Sequence, residues 1–235
     1  MSAGEAAVSP AVEVPRRYGR SVLVAGLRGI GRAWLPLLIA VIVNAIVQAL
    51  LVTLGAVPGI DGMAIVWALV SLAIIVITYA VVSAAALESV DGKVSWTAMT
   101  QRLRAHWLLF VIWTAVVAVG VFLGLLLYTL PGVLIAALTV FIPVAAMDGQ
   151  RDAFADNFAA IKARPGRWLI TVVIMGAIVG CAWLFSALCG FFVGGWLGPL
   201  LVWLVFGVLL AWFTCAWAAL FRSTPRGIGT NAPAS

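Results

Sequence analysis

WLITVVIMGAIVGCAWLFSALCGFFVGGWLGPLLVWLVFGVLLAWFTCAWAALF, residues 168–221, decides the fold: these 54 positions hold no Asp, Glu, Lys, Arg or His. A helix needs about 20 apolar residues to cross roughly 30 Å of hydrocarbon, so the stretch holds two spans. They divide at Gly190-Phe191-Phe192-Val193-Gly194-Gly195-Trp196, where three glycines loosen the helix. Working outward, three more charge-free runs occupy 33–60, 62–87 and 107–147, and the four together cover 149 of 235 residues. The first two hold one span each. The third is long enough for two, and Tyr128-Thr129-Leu130-Pro131-Gly132 is its breaker, since Pro-Gly favours a tight turn. Spans are placed near 33–54, 63–87, 107–129, 132–147, 168–190 and 197–221. Pro143 lies near the inner end of the fourth and is expected to kink it, because proline removes one ladder hydrogen bond.

Composition agrees. The chain is 65% hydrophobic and 9% charged, with a mean hydropathy of +1.18, whereas an average soluble domain is about a quarter charged. Soluble and secreted classes are excluded, and the fold class is all-α: a polytopic membrane protein with six transmembrane helices arranged as three hairpins. All 14 Lys and Arg residues fall in 1–32, 88–106, 148–167 and 222–235, and the opposite turns at 55–62, 130–132 and 190–196 carry only Asp61. Arg32, Arg104, Arg167 and Arg222 abut span ends, where the positive-inside rule is counted, so both termini are expected in the cytoplasm. Residues 20–222 form the membrane domain, flanked by polar, disordered cytoplasmic tails at 1–19 and 223–235. The apolar run after the basic N-terminus is longer than the 7–15 residues of a signal-peptide h-region, so the first span is expected to be retained. Three cysteines, Cys181, Cys189 and Cys215, show no CxxC spacing and read as small buried apolar residues.

A basic residue followed by Trp-Leu opens each hairpin, at 32–35, 104–108 and 167–169. Each entry follows a potential amphipathic helix. In the first, Leu23, Leu27, Ile30 and Trp34 share a face, with Arg28 and Arg32 opposite. In the second, Ser95 can cap a helix carrying Trp96, Met99, Leu103 and Trp107. In the third, Asp148 can cap a helix carrying Phe154, Phe158 and Ile161, with Asp152 and Asp156 behind them. The repeated unit is thus a cytoplasmic amphipathic helix followed by a hairpin through the bilayer, its basic face meeting anionic headgroups.

Pro131-Gly132, a short span ending in Pro143, then Asp148-Gly149, an Ala/Phe-rich stretch through Ala160-Ile161-Lys162 and a basic-Trp entry form an ordered pattern. It resembles the YciC-like proteins and the membrane domain found beside glycerophosphodiester phosphodiesterases. The resemblance is most specific over 95–170 and implies a six-helix fold in a bacterial inner membrane. It departs at Asp148, where relatives are expected to carry Glu, and at Lys162-Ala163-Arg164, which replaces a Lys/Arg-Ser-Trp signature. It brings no catalytic residue.

The residues themselves offer little chemistry. His106 is the single histidine and sits beside Trp107 at a span end. Asp148, Asp152 and Asp156 recur every four residues and read as a solvated helix face. There is no Gly-Lys-Ser/Thr of a P-loop, and Gly26-Leu27-Arg28-Gly29-Ile30-Gly31 reads as a flexible hinge. No catalytic residue, metal ligand or cofactor is assigned. The charged spans of an ion-coupled carrier are missing too. What remains inside the membrane is neutral: Asn44 and Gln48 share one face of the first span and are the polar intramembrane candidates. Small residues at four-residue spacing (Gly120 and Gly124, Gly176 and Gly180, Gly190 and Gly194) suit close helix packing.

The favoured expectation is a non-enzymatic integral membrane protein that organises lipid or assists a membrane complex. Arg28, Arg32, Arg102, Arg104, Lys162, Arg164 and Arg167 are its candidate contacts to anionic headgroups on the cytoplasmic side. The alternative is an uncoupled permease or hydrophobic-substrate carrier working with a separate ATPase. Partners are membrane lipids, with a second copy or another membrane protein compatible, and no nucleic acid, because the basic residues are scattered rather than gathered in a stripe. The expected location is the bacterial cytoplasmic membrane.

Overall fold

The computed structural model describes residues 22–54, 62–92 and 94–224. Among them there are nine helices and no strand: α1 (Val22–Arg32), α2 (Trp34–Leu54), α3 (Gly62–Asp91), α4 (Trp96–Leu127), α5 (Thr129–Leu138), α6 (Ile142–Met147), α7 (Ala153–Ala163), α8 (Pro165–Phe192) and α9 (Leu197–Arg222). Six units are long and apolar enough to cross a membrane: α2, α3, α4, the pair α5–α6, α8 and α9. The expected tails at 1–19 and 223–235 lie outside the described residues, apart from Ser223 and Thr224, and so does the turn carrying Asp61.

Helix α9 runs through the middle, packed by α1, α2, α3 and α8. The tightest core lies at the end where α3, α6 and α9 finish, which is also where the charged loops gather. Ala84, Ala85 and Ala86 of α3 share one core with Ala145 and Ala146 of α6 and Ala216 and Ala218 of α9, all fully buried. Lipid tails are as apolar as leucine, so burial from water does not hold such helices together; small residues let backbones approach and gain dispersion contacts instead. Around this plug Phe141 packs edge-on against Trp217, with ring centroids 5.2 Å apart. The opposite end is looser, and Leu127, Phe191 and Phe192 at its turns stand fully outward. An apolar perimeter of this extent needs lipid, not water, around it.

The hairpin turns differ in detail from expectation. The third and fourth spans turn at Tyr128 alone, and Pro131-Gly132 sits inside the first turn of α5. Its glycine serves close packing: a Cβ on Gly124 would lie 2.8 Å from the Gly132 Cα. Gly176, Gly180, Gly190 and Gly194 meet nothing within 4 Å, so of the small-residue pairs the one at Gly120 and Gly124 is packed.

Pro143 does more than kink the fourth span. Without its N–H the Thr139 carbonyl takes its bond from the Ile142 N–H instead, and the helix breaks between α5 and α6. Asn157 of α7, fully buried, repairs the break from outside the helix. Its Nδ2 donates to the Leu138 carbonyl at 2.7 Å, and its Oδ1 accepts from the Phe141 N–H at 3.0 Å. The Trp168 indole N–H adds a bond to the Ala137 carbonyl at 3.3 Å. Side chains from neighbouring helices thus satisfy the freed backbone, the condition for irregular chain at membrane depth.

Two of the three connecting helices are separate, and the third is not. The segment from Trp96 runs without a break into α4, whose 32 residues span about 48 Å at 1.5 Å per residue, well beyond the hydrocarbon thickness. The N-cap of α7 is Asp152, whose side chain accepts from the Ala155 N–H, so Asp148 ends α6 and does not start α7. The inward face of α7 is Ala153, Asn157 and Ala160, while Phe154 and Phe158 stack edge-on with centroids 4.8 Å apart on the outer side. The glycine-rich hinge is helical: α1 lays Gly26 and Gly29 on α9, and Trp212 donates its indole N–H to the Leu23 carbonyl at 2.9 Å.

Candidate functional site

Four helix ends bring a charged cluster together. Arg102 of α4 is gripped by three carboxylates: Glu88 at 2.9 Å and Asp91 at 3.1 Å from α3, and Asp148 at 2.8 Å from the end of α6. Arg222, the last residue of α9, bonds the same Asp148 oxygen at 2.7 Å and Asp91 at 3.2 Å. The Asp148 side chain is 5% exposed. Burial pushes its carboxyl above the ordinary range, and the charges of Arg222 and Arg102 pull against that rise. His106 sits one turn below Arg102, facing Gly149, whose missing side chain admits the imidazole at a positive φ of 85°. These groups line a polar cavity of about 510 Å³. With two cations against three carboxylates, mutually paired, its chemistry is that of a clasp joining α3, α4, α6 and α9. Asp148, Asp152 and Asp156 therefore do not share a helix face, and no group of three metal-ligating side chains occurs among the described residues.

The basic candidates fall into two sets. Arg102 is in the clasp, Arg32 donates to the Ser89 carbonyl at 3.1 Å, and Arg164 donates to the Ser223 hydroxyl at 2.9 Å. Arg28, Arg104, Lys162 and Arg167 are exposed, as is Arg32 despite its bond. Arg104 makes no hydrogen bond or ion pair among the described residues.

Below Arg104 an apolar slot of about 400 Å³ opens between α3 and α4. Leu72, Ala73 and Val76 wall one side, and Trp107, Val111 and Ala118 the other. Arg104, Val111 and Ala118 are seven residues apart, two turns of helix, so the arginine lies on the slot's own face of α4. Thr114 also lines it, and its hydroxyl is buried without a partner among the described residues.

The two polar candidates of the first span part company. Gln48 pairs with Ser71 of α3 in both directions: its amide Nε2 donates to the Ser71 carbonyl at 3.1 Å, and the Ser71 hydroxyl donates to Oε1 at 2.7 Å. That is interhelical glue, worth about 0.6–2 kcal/mol. Asn44, one turn away and 5% exposed, makes no such bond, and its Oδ1 is unpartnered among the described residues. It lines a second cavity, about 280 Å³, between α2, α3, α8 and α9. The charged cluster was missed at the sequence level because its ion-paired residues lie 11 to 131 positions apart; carboxylates and arginines abutting four span ends were the available signal.

No family model, curated protein or solved structure matches the chain.

Proposed function

We propose that this multi-pass protein is a non-enzymatic, lipid-organising component of a bacterial cytoplasmic membrane, of the YciC-like kind, with its charged end and both termini on the cytoplasmic side. The observation that carries the reading is the slot between α3 and α4, open to the membrane and headed by Arg104, which is unpaired among the described residues. An acyl chain fits the apolar walls, and an anionic headgroup fits the guanidinium above them. Trp107 between the two suits the headgroup boundary, where amphipathic rings settle. Exposed Arg28, Lys162 and Arg167 extend the same electrostatic attraction around the charged end.

Native mass spectrometry in a mixture of phosphatidylglycerol and phosphatidylethanolamine tests this. Arg104→Gln should lower retained phosphatidylglycerol about fivefold, the equivalent of roughly 1 kcal/mol per basic residue near a membrane surface. Ala115→Trp, which fills the slot from an exposed position, should displace the lipid with Arg104 intact. Unchanged retention in both variants overturns the reading. The carrier alternative draws on a different observation, the unpartnered Asn44, and the path it needs no longer includes Gln48, which is committed to Ser71.

A further inference from the structure

We propose that the cavity between α2, α3, α8 and α9 is a binding site for a neutral, membrane-dissolved alcohol, whose single hydroxyl bonds Asn44 near the bilayer centre. The site does not depend on the Arg104 slot. Ile75 and Thr78 face this cavity from α3, whereas Leu72, Ala73 and Val76 face the slot, on the other side of the same helix.

Depth selects the chemistry. Asn44 lies ten residues into α2 from Trp34, about 15 Å along the helix, which is half of a roughly 30 Å hydrocarbon layer. A phospholipid headgroup does not reach that level, and among the described residues no charged side chain lines the cavity to receive an ion. A polar group there must be neutral and small. Asn44 is 5% exposed, and its amide oxygen lacks a donor among the described residues. A buried oxygen left bare is costly, so a partner with an O–H is favoured over a ketone or an alkane, neither of which can donate. Thr78, also buried, supplies a second polar neighbour one turn of α3 toward the charged end.

The walls fit a hydrocarbon body. Trp203, Phe206 and Phe213 of α9 form one side, and Val179 of α8 the outer edge. Gly207 keeps the cavity's inner wall close: a Cβ there would lie 2.8 Å from Val41 Cγ1, so the bare glycine is what lets α9 approach α2 beside Asn44. The volume of about 280 Å³ sits at the lower edge of ligand pockets, with the few convergent polar groups that fix orientation in such sites. A water molecule would find only Asn44 and Thr78 as polar partners, the minimum of the two to four it needs, and would leave the apolar remainder of the cavity unfilled. The occupant's class is therefore a fatty or isoprenoid alcohol.

The test uses the whole protein in phosphatidylcholine nanodiscs with two photoreactive probes of equal length, a diazirine fatty alcohol and the matching diazirine alkane. Labelled peptides are mapped by mass spectrometry. The alcohol should label the α9 segment around residues 203–213 in preference to the alkane. Asn44→Leu should cut that labelling about tenfold, equivalent to about 1.4 kcal/mol, and leave the alkane's unchanged. Val179→Trp, a change at the membrane-facing edge, should block the alcohol while Asn44 stays in place. It also decides the matter if Asn44→Leu fails to fold. Equal labelling by alcohol and alkane, or alcohol labelling that survives Val179→Trp, overturns the proposal and leaves the cavity to ordinary lipid tails.

Discussion

Asn157 shows how one side chain decides whether a broken membrane helix is tolerable. It supplies one donor and one acceptor to the two backbone groups that the break before Pro143 leaves open, at 2.7 and 3.0 Å. Replacing it with leucine keeps the volume and removes both bonds. Two buried, unsatisfied backbone groups cost about 1–3 kcal/mol each, so Asn157→Leu should destabilise the protein by about 3 kcal/mol or more. A lowered unfolding temperature in detergent, with faster hydrogen exchange at the Phe141 amide, checks this. Unchanged values would mean that the break supports itself. Half of this arrangement was legible in sequence. A proline inside a span announces a freed carbonyl, but nothing local says which side chain will answer it. Asn157 belongs to an amphipathic stretch whose phenylalanines drew the apolar face elsewhere, and its burial follows from tertiary packing of α7 on the break.

Helix α1 carries the opposite lesson at the scale of an element. Three glycines within six residues read as a hinge, because each costs a helix about 1 kcal/mol relative to alanine. Packing reverses that reading. A Cβ at Gly26 would stand 2.9 Å from both the Ala216 Cβ and the Trp212 carbonyl oxygen, and one at Gly29 would stand 3.0 Å from the Cys215 Cβ. The glycines are the contact surface that lets α1 lie on α9. Gly26→Ala therefore gains helix propensity and loses the docking. Amides of residues 22–32 should exchange faster while those of α9 stay protected. Gly31 is the control, since a Cβ there meets nothing within 4 Å. Gly31→Ala should leave exchange unchanged or slow it, with a gain of about 0.4–1 kcal/mol. Equal behaviour of the two variants would remove the close-approach argument. The six spans were legible because 18 or more apolar residues without a charge have few other fates. The role of these glycines was not, because a hinge and a close contact look alike until the partner helix is known.

The molecule as a whole is closed at one end by charge and left looser at the other. Arg102 and Arg222 tie α3, α4, α6 and α9 through Glu88, Asp91 and Asp148, directly beneath the alanine-rich plug. The most buried member controls how the clasp responds to pH. Burial is the largest influence on Asp148 and raises its carboxyl above the ordinary value of 3.8, although Arg222 and Arg102 act to lower it. The folded protein then holds that proton more tightly than the unfolded chain does. By linkage, the stability this group contributes is fully present below 3.8 and is lost as pH rises through the folded value. Asp148→Asn keeps an oxygen for the two guanidinium groups and cannot titrate. The unfolding temperature of the wild type minus that of Asp148→Asn should therefore fall as pH is raised from about 4 to 7 and level off above the folded value. Comparing the difference, and not the wild-type curve alone, removes the pH response of groups that do not interact with Asp148. A difference that climbs with pH would show the opposite balance, with the two arginines outweighing burial and the clasp strengthening as Asp148 ionises.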